Sequence, residues 1–525
     1  MKKIFVFDST LRDGAQAENI TFTVEDKLNI VKSLDKLGID YIEAGNPGSN
    51  PKDLEFFTRV KELELKNAKL VAFGSTRRRD VSVEEDKNVQ ALLTADTDVV
   101  AIFGKSWDMH VTEIIKATLE QNLEMIYDTL SFFVSKGKTV FFDAEHFFDG
   151  YKENSVYALK TLEAAEMAGV AGLVLCDTNG GCFPDEISRI VAEVTAKVNI
   201  PVAIHCHDDM GCAVANTIAA VRAGARQIQG TYIGYGERCG NANLSAIIPS
   251  LQLKLGYECI PPEKVVRLTK TARYIAVISN MILPNSLPYV GKSAFAHKGG
   301  MHVDGVTKNP RSFEHISPET VGNRRNVLLS EVSGKAALLS KLELLGDTVS
   351  KDSPEAGSLV EMVKELEYNG YQFEAATATL ELLALKHLHK FKSFFEVVNF
   401  KVIGERTEEG AHNRDYAMIK IKVEDQFEIT ADEGDGPVHA LDIALRKAVG
   451  KFYPSIEKIR LVDYKVRVIE PKDATAAQVR VFIETTDGDN TWTTVAVSSD
   501  VINASLNALV DSVEYKLLMD SKKQI

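Results

Sequence analysis

Nowhere in its 525 residues does the sequence hold the ~20 consecutive apolar residues that a bilayer-spanning helix requires. A membrane partner is therefore not expected. The opening apolar run, Ile4-Phe5-Val6-Phe7, stops at Asp8 and is too short for a secretory signal. Cysteine is scarce: six residues, Cys176, Cys182, Cys206, Cys212, Cys239 and Cys259, none in CxxC spacing. Reduced thiols in a cytoplasmic protein are expected rather than a disulfide framework. Positive charge is in deficit as well, with 61 Lys+Arg against 74 Asp+Glu and a net charge of −13. Phosphate backbones need a basic face, so a small-molecule partner is favoured over nucleic acid. What is present, 45% hydrophobic and 26% charged residues, is an ordinary globular composition, and the length calls for two or three domains.

From residue 4 to about 255 a short β-branched run alternates with a longer amphipathic stretch. The strands expected are Ile4–Asp8, Ile39–Ala44, Leu70–Gly74, Val99–Phe103, Val140–Glu145, Leu173–Thr178, Val202–Asp208 and Gln227–Tyr232. Helices are expected after a capping-box start at Thr23-Val24-Glu25-Asp26 and over Asn154–Ala168 and Pro184–Val198. Such a count fits a (β/α)8 TIM barrel, with a doubly wound open sheet as the alternative. The unusual polar residues decide between them. Arg12, Asp13, Glu43, Asp143, Glu145, Thr178, His205, His207, Glu237 and Asn241 all fall at or just past strand C-terminal ends, which in a barrel ring one mouth. An open sheet would gather only a few of them at its switch point.

Beyond the barrel, Pro310, Pro318 and Pro354 break helical patterns, and from about 395 strands return as an internal repeat. Phe395–Ile403, Ala417–Thr430 and the helical Gly436–Val449 are echoed by Ile459–Ile469, Gln478–Val497 and Ser499–Val513. The division expected is a catalytic barrel over 1–260, helical linker subdomains over 261–395 and a duplicated α+β regulatory (allosteric or dimerisation) domain over 396–525.

On a strand, residues two apart share a face, so His205 and His207 converge while Cys206 points away. Two imidazoles with Asp13 at the same mouth make a ligand set for a divalent metal, and the set does not choose among Mg, Mn, Co and Zn. Arg12 beside Asp13 points to an anionic substrate or a developing oxyanion. Glu145 is in phase with Asp143 and is the remaining candidate base, unless it serves a structural ion pair.

Leu11-Arg12-Asp13-Gly14-x-Gln16 and Val202-x-x-His205-x-His207-Asp208-Asp209-x-Gly211-x-Ala213-x-Ala215 are similar to the two signatures of the isopropylmalate, homocitrate and citramalate synthase family. The resemblance extends over essentially the whole chain. It implies a metal-dependent acyltransferase that condenses acetyl-CoA with a 2-oxo acid, and a C-terminal domain that binds an amino-acid effector. Position by position it implies Asp13, His205 and His207 as metal ligands with Asn241 beside them, Glu145 as the base, Arg12 at the forming alkoxide, Thr178 on the substrate carboxylate and Glu43 bracing them. His302, in Gly299-Gly300-Met301-His302, resembles a residue of thioester hydrolysis delivered by a partner subunit, which implies a homodimer. Relatives usually carry Tyr where this chain has Phe313, and many carry Trp at Asn46.

The acceptor expected is pyruvate, with 2-oxoisovalerate the alternative. Asp143, Phe73 and Phe103 should make a small, partly polar pocket, unless Asp143 turns to Arg77 or Lys105. The effector expected is isoleucine.

Overall fold

A computed structural model describes the chain apart from residues 1, 49–50, 299, 328–353, 374–375, 406–413, 470–476, 489 and 523–525. It divides into two compact units, one of residues 1–295 with 314–325 and one of 296–313 with 326–525.

In the first unit eight parallel strands close a barrel: β1 Phe5–Asp8, β2 Tyr41–Glu43, β3 Lys69–Ser75, β4 Val99–Lys105, β5 Thr139–Glu145, β6 Gly172–Asp177, β7 Val202–Cys206 and β8 Gln227–Gly230. β1 closes on β8 with Phe5 opposite Gln227 and Asp8 opposite Gly230. The expected TIM barrel is present, and every expected strand overlaps its counterpart. Strand alternation sorts the side chains. On β5, Val140, Phe142 and Ala144 pack outward against the helices, while Phe141 joins Phe7, Val71, Val99, Ala101, Val174 and Ala203 in the lumen. Phe141 sits edge-on to Phe7 at 6.1 Å and to Tyr41 at 5.2 Å, while Phe7 and Tyr41 stack at 6.0 Å, closing the barrel floor with apolar surface. Asp143 and Glu145 continue the lumen phase of Phe141 upward, so the polar residues collect at the other end.

The outer helices include α1 Val24–Leu37, α2 Pro51–Arg59, α3 Lys87–Ala95, α4 Leu119–Ser135, α5 Phe147–Met167, α6 Pro184–Thr195 and α7 Ala213–Ala223. α1 opens with the expected capping box: Thr23 Oγ1 accepts from Asp26 N at 3.1 Å and Asp26 Oδ2 from Thr23 N at 2.8 Å. α5 begins seven residues ahead of the expected Asn154, and Asn154 is a non-helical kink inside it (φ −143°, ψ 76°). The Asn154 side chain accepts from Tyr157 N at 3.1 Å, an internal cap that reads as a helix start in sequence. No helix of the described residues is long and apolar enough to cross a membrane.

The second unit holds two β-β-β-α repeats. Strands β9 Glu396–Glu405, β10 Arg414–Val423 and β11 Gln426–Gly434 precede helix α8 Pro437–Gly450; β12 Arg460–Val468, β13 Val479–Thr486 and β14 Thr491–Ser498 precede α9 Val501–Lys522. Each sheet is antiparallel in chain order. The stretches Ala417–Thr430 and Gln478–Val497 are each a hairpin; they turn at Glu424 (φ 51°) and Gly488 (φ 93°). The first strand of each sheet carries a bulge at the matching place, between Val397 and Asn399 and between Leu461 and Asp463, which supports the duplication. Alternation along β10 buries Ala417, Ile419 and Ile421 against α8 and turns Tyr416 and Met418 outward.

Candidate active site

Asp13, His205 and His207 meet at the barrel mouth with their ligand atoms within 4.8 Å of one another. β7 supplies His205, and His207 one step beyond forms an antiparallel bridge to Asn241, which brings the β8 loop across. Asp13 sits on the tight turn after β1, its N–H donating to Ser9 O at 2.9 Å. Asp13 Oδ2 lies 3.2 Å from His205 Nε2, 3.9 Å from His207 Nε2 and 3.1 Å from Asn241 Nδ2. All four side chains are buried. Burial favours the neutral Asp13, but Arg12 and the two imidazoles outweigh it and hold the carboxyl well below its usual range. His205 is raised despite burial, through its hydrogen bond and charge contact with Asp13, whereas burial, with His205 adding, pushes His207 down to about 4.

The donor chemistry fits a divalent cation. His205 Nδ1 is 3.1 Å from Gln229 Oε1; an amide oxygen only accepts, so Nδ1 donates to it and Nε2 is the nitrogen directed at Asp13, where a bound cation would take the place of its proton. Asp13 Oδ1, His207 Nδ1 and Asn241 Oδ1 are buried without a hydrogen-bond partner among the described residues. Buried polar atoms are rarely left so, and a cation within a carboxylate–imidazole set removes the imbalance.

Arg12 is anchored over this group. Its Nε donates to Glu43 Oε2 at 2.6 Å, Nη1 lies 3.2 Å from Asp13 Oδ2, and the guanidinium sits 3.9 Å above the Phe73 ring, which stacks on Phe103 at 5.2 Å. Glu43 is fully buried and touches Arg12, so the structure places it under the guanidinium as a brace.

Glu145 ends β5 at the rim. The next residue, His146, is left-handed (φ 54°), an unusual state for a non-glycine, and it turns the chain from strand into α5. His146 N donates to Thr178 Oγ1 at 2.8 Å, leaving the Thr178 hydroxyl proton free for a ligand. Arg238 Nη2 donates to Thr178 O at 2.6 Å and pairs with Asp209, fixing Thr178 from behind. Asp143 turns to neither of its possible cations: Arg77 pairs with Asp128, and Lys105 pairs with Glu145. Burial, with Glu43 adding, pushes the Asp143 carboxyl up to about 7.

One cavity of about 210 Å³ is lined by Arg12, Asp13, Asp143, Glu145, Thr178 and both histidines, with Phe73 and Phe103 on its side. The structure thus brings together Arg12, Asp13, Asp143, Glu145, Thr178, His205, His207 and Asn241. Asn46 lines a neighbouring pocket of about 570 Å³ that shares Arg12, Gln16, Phe73 and Phe103 with the first. His302 lies in the second unit, on helix Gly300–Lys308, exposed and stacked on Phe313 at 4.1 Å; the residue that lacks the hydroxyl is its immediate neighbour. Sequence reasoning missed Gln229, whose signal was Gln227 and Gln229 in phase on an otherwise apolar strand, and it gave Arg238 no role.

Residues 3–275 match the HMGL-like family, residues 289–370 the homocitrate synthase post-HMGL domain-like family and residues 374–517 the LeuA allosteric (dimerisation) domain. An (R)-citramalate synthase of Aquifex aeolicus is 50% identical over 525 residues, covering 100% of this chain and 99% of its own. One of Geobacter sulfurreducens is 48% identical, covering 98% of each. A probable 2-isopropylmalate synthase of Methanopyrus kandleri is 32% identical, over 97% of this chain and 98% of its own.

Proposed function

This chain belongs to the HMGL-like family, and from that premise we propose that it condenses acetyl-CoA with pyruvate and hydrolyses the thioester to (R)-citramalate and CoA, the reaction of its full-length relatives. The observation that carries the proposal is the convergence of a candidate metal triad, an arginine, a carboxylate base and a free hydroxyl on one 210 Å³ cavity.

Asp13, His205 and His207 would hold a divalent cation, with Asn241 beside them. When bound, that cation supplies Lewis-acid polarisation of the 2-oxo acid. Thr178 donates its hydroxyl to the substrate carboxylate. Glu145 takes a methyl proton from acetyl-CoA; the C–H pair stays on carbon as the enolate and attacks the ketone carbon. General bases of this kind contribute ~10²–10⁴-fold. Arg12, braced by Glu43, stabilises the alkoxide that forms on the ketone oxygen. Hydrolysis of the condensed thioester falls to His302 of a partner subunit, and Phe313 leaves it without a neighbouring tyrosine hydroxyl.

The three-part division at 260 and 395 assigns condensation to the barrel, delivery of His302 to the linker and control to the repeats. The outward apolar residues of the sheets, Tyr416, Met418, Phe427, Ile429, Val462 and Val466, support a homodimer through the LeuA-type domain. An end-product amino acid, isoleucine, is the proposed effector of that domain.

Pyruvate is the proposed acceptor because the cavity is small and walled by Phe73, Phe103 and Asp143. An isopropyl group would gain ~0.8 kcal/mol per buried carbon in a roomy pocket, but overpacking a tight one costs ~1–3 kcal/mol. Thiol release from acetyl-CoA across a panel of 2-oxo acids tests the reading. Turnover with pyruvate supports it; no thiol release with any 2-oxo acid overturns it.

A further inference from the structure

Building on the assignment of Glu145 as the base, we infer that Lys105 is its positioning residue, whose ammonium holds the Glu145 carboxylate aimed into the cavity. Lys105 and Glu145 close adjacent strands, and the parallel register of β4 and β5 sets them side by side. Their backbones are tied down. Ser106 N donates to Glu145 O at 3.2 Å, and Asn122 Nδ2 donates to Lys105 O at 2.8 Å from within α4. Lys105 Nζ then donates to Glu145 Oε2. Both side chains are only partly exposed, 18% of Lys105 and 25% of Glu145, so the pair is only partly screened.

The surroundings show why a fixed cation matters here. Asp143 lies on the same strand in the same phase, and Cys176 on β6 lines the same cavity. His110, in the turn after β4, stacks on Trp107 and lies 4.3 Å from the His146 ring, whose Nδ1 is 3.2 Å from Asp149 Oδ2. Burial pulls His110 below its ordinary value, so it does not supply a standing charge. Lys105 is the one lysine or arginine that pairs with Glu145 among the described residues. Without it, the Glu145 carboxyl would lose the contact that sets its rotamer.

An ammonium partner also lowers a carboxylate's intrinsic basicity, which opposes proton abstraction. Aim outweighs this: misplacing a reacting group by about 1 Å can cost ~10²-fold, more than the basicity gained by freeing the carboxylate of one partly exposed partner.

The experiment uses the full-length, metal-loaded protein and measures thiol release with acetyl-CoA and pyruvate. Lys105→Met should lower kcat about 10–100-fold and leave KM for pyruvate within about two-fold. Lys105→Arg should restore kcat to near the parent. In a Glu145→Gln background, adding Lys105→Met should change nothing further, as coupling through one residue requires. An undiminished kcat in Lys105→Met, equal losses in the Met and Arg variants, or a further loss in the double variant would each overturn the role of Lys105. Parental turnover in Glu145→Gln is a different result, since it removes the base assignment itself.

Discussion

The Nδ1 of His205 is 3.1 Å from the amide oxygen of Gln229, and this contact decides which imidazole nitrogen is left to face Asp13. Neighbours of a ligand that fix its tautomer typically govern metal affinity by ~10–100-fold. Gln229→Leu should therefore weaken divalent-ion binding by about that factor, measured by competition with a chromophoric chelator, while Gln229→Glu retains most of it. Equal affinity in Gln229→Leu and parent would remove the orienting role.

Exhaustive chelation, checked by elemental analysis, should abolish thiol release, and added divalent ion should restore it in the parent but not in His207→Ala. Full activity in metal-free protein would contradict the candidate ligand set of Asp13, His205 and His207.

Gly150 lets α5 approach the loop after β4: a Cβ there would lie 2.4 Å from Ser106 O and 2.8 Å from Trp107 Cα. Gly150→Ala must push this backbone apart beside Lys105 and Glu145. A loss of ~1–3 kcal/mol is expected for overpacking, read as a lower thermal transition of the barrel, together with reduced kcat. An unchanged transition would mean that the two segments can part without strain.

In the second unit burial pushes the Glu514 carboxyl up to about 7, against the Phe394 N–H and the Lys386 ammonium, with Asp511 adding to the rise and Tyr453 also packed nearby. Its folded value lies above its unfolded one, so its contribution is fully present below about pH 4.5 and is lost as pH rises through about 7. Glu514→Gln should flatten that decline: more stable than the parent at pH 8 by ~1 kcal/mol or more, and no more stable at pH 4. Parallel stability curves for the two proteins from pH 4 to 8 would show that Glu514 does not titrate in this range.

Much of the barrel chemistry was legible because strand phase is a local property. His205 with His207, and Asp143 with Glu145, are placed on one face by the two-residue period alone, and the apolar partners Ile204 and Ala144 confirm it from the other side. The Lys105–Glu145 pair was not legible, because it depends on the register between two strands joined by a whole helix. The first turns of α5 were hidden for a different reason: a left-handed His146 and a kink at Asn154 both mimic a boundary. In the repeats neither hairpin turn was located: the first turns at Glu424, and glutamate is a poor signal for positive φ, while its echo turns at a single glycine, Gly488.

Removing the LeuA-type domain, the proposed effector site, should separate control from chemistry. A chain ending near residue 395 is expected to be insensitive to isoleucine, with activity reduced where dimerisation is lost. Undiminished inhibition in an active truncated protein would place the effector site in the barrel or linker.

Acceptor choice tests the whole account most directly, since it depends on the cavity framed by Phe73, Phe103 and Asp143. Steady-state kinetics with pyruvate, 2-oxobutyrate and 2-oxoisovalerate under saturating acetyl-CoA should give pyruvate the highest kcat/KM, 2-oxobutyrate an intermediate value and 2-oxoisovalerate a value at least ~10-fold below pyruvate. A higher kcat/KM for 2-oxoisovalerate than for pyruvate would contradict it and make the chain an isopropylmalate-forming enzyme.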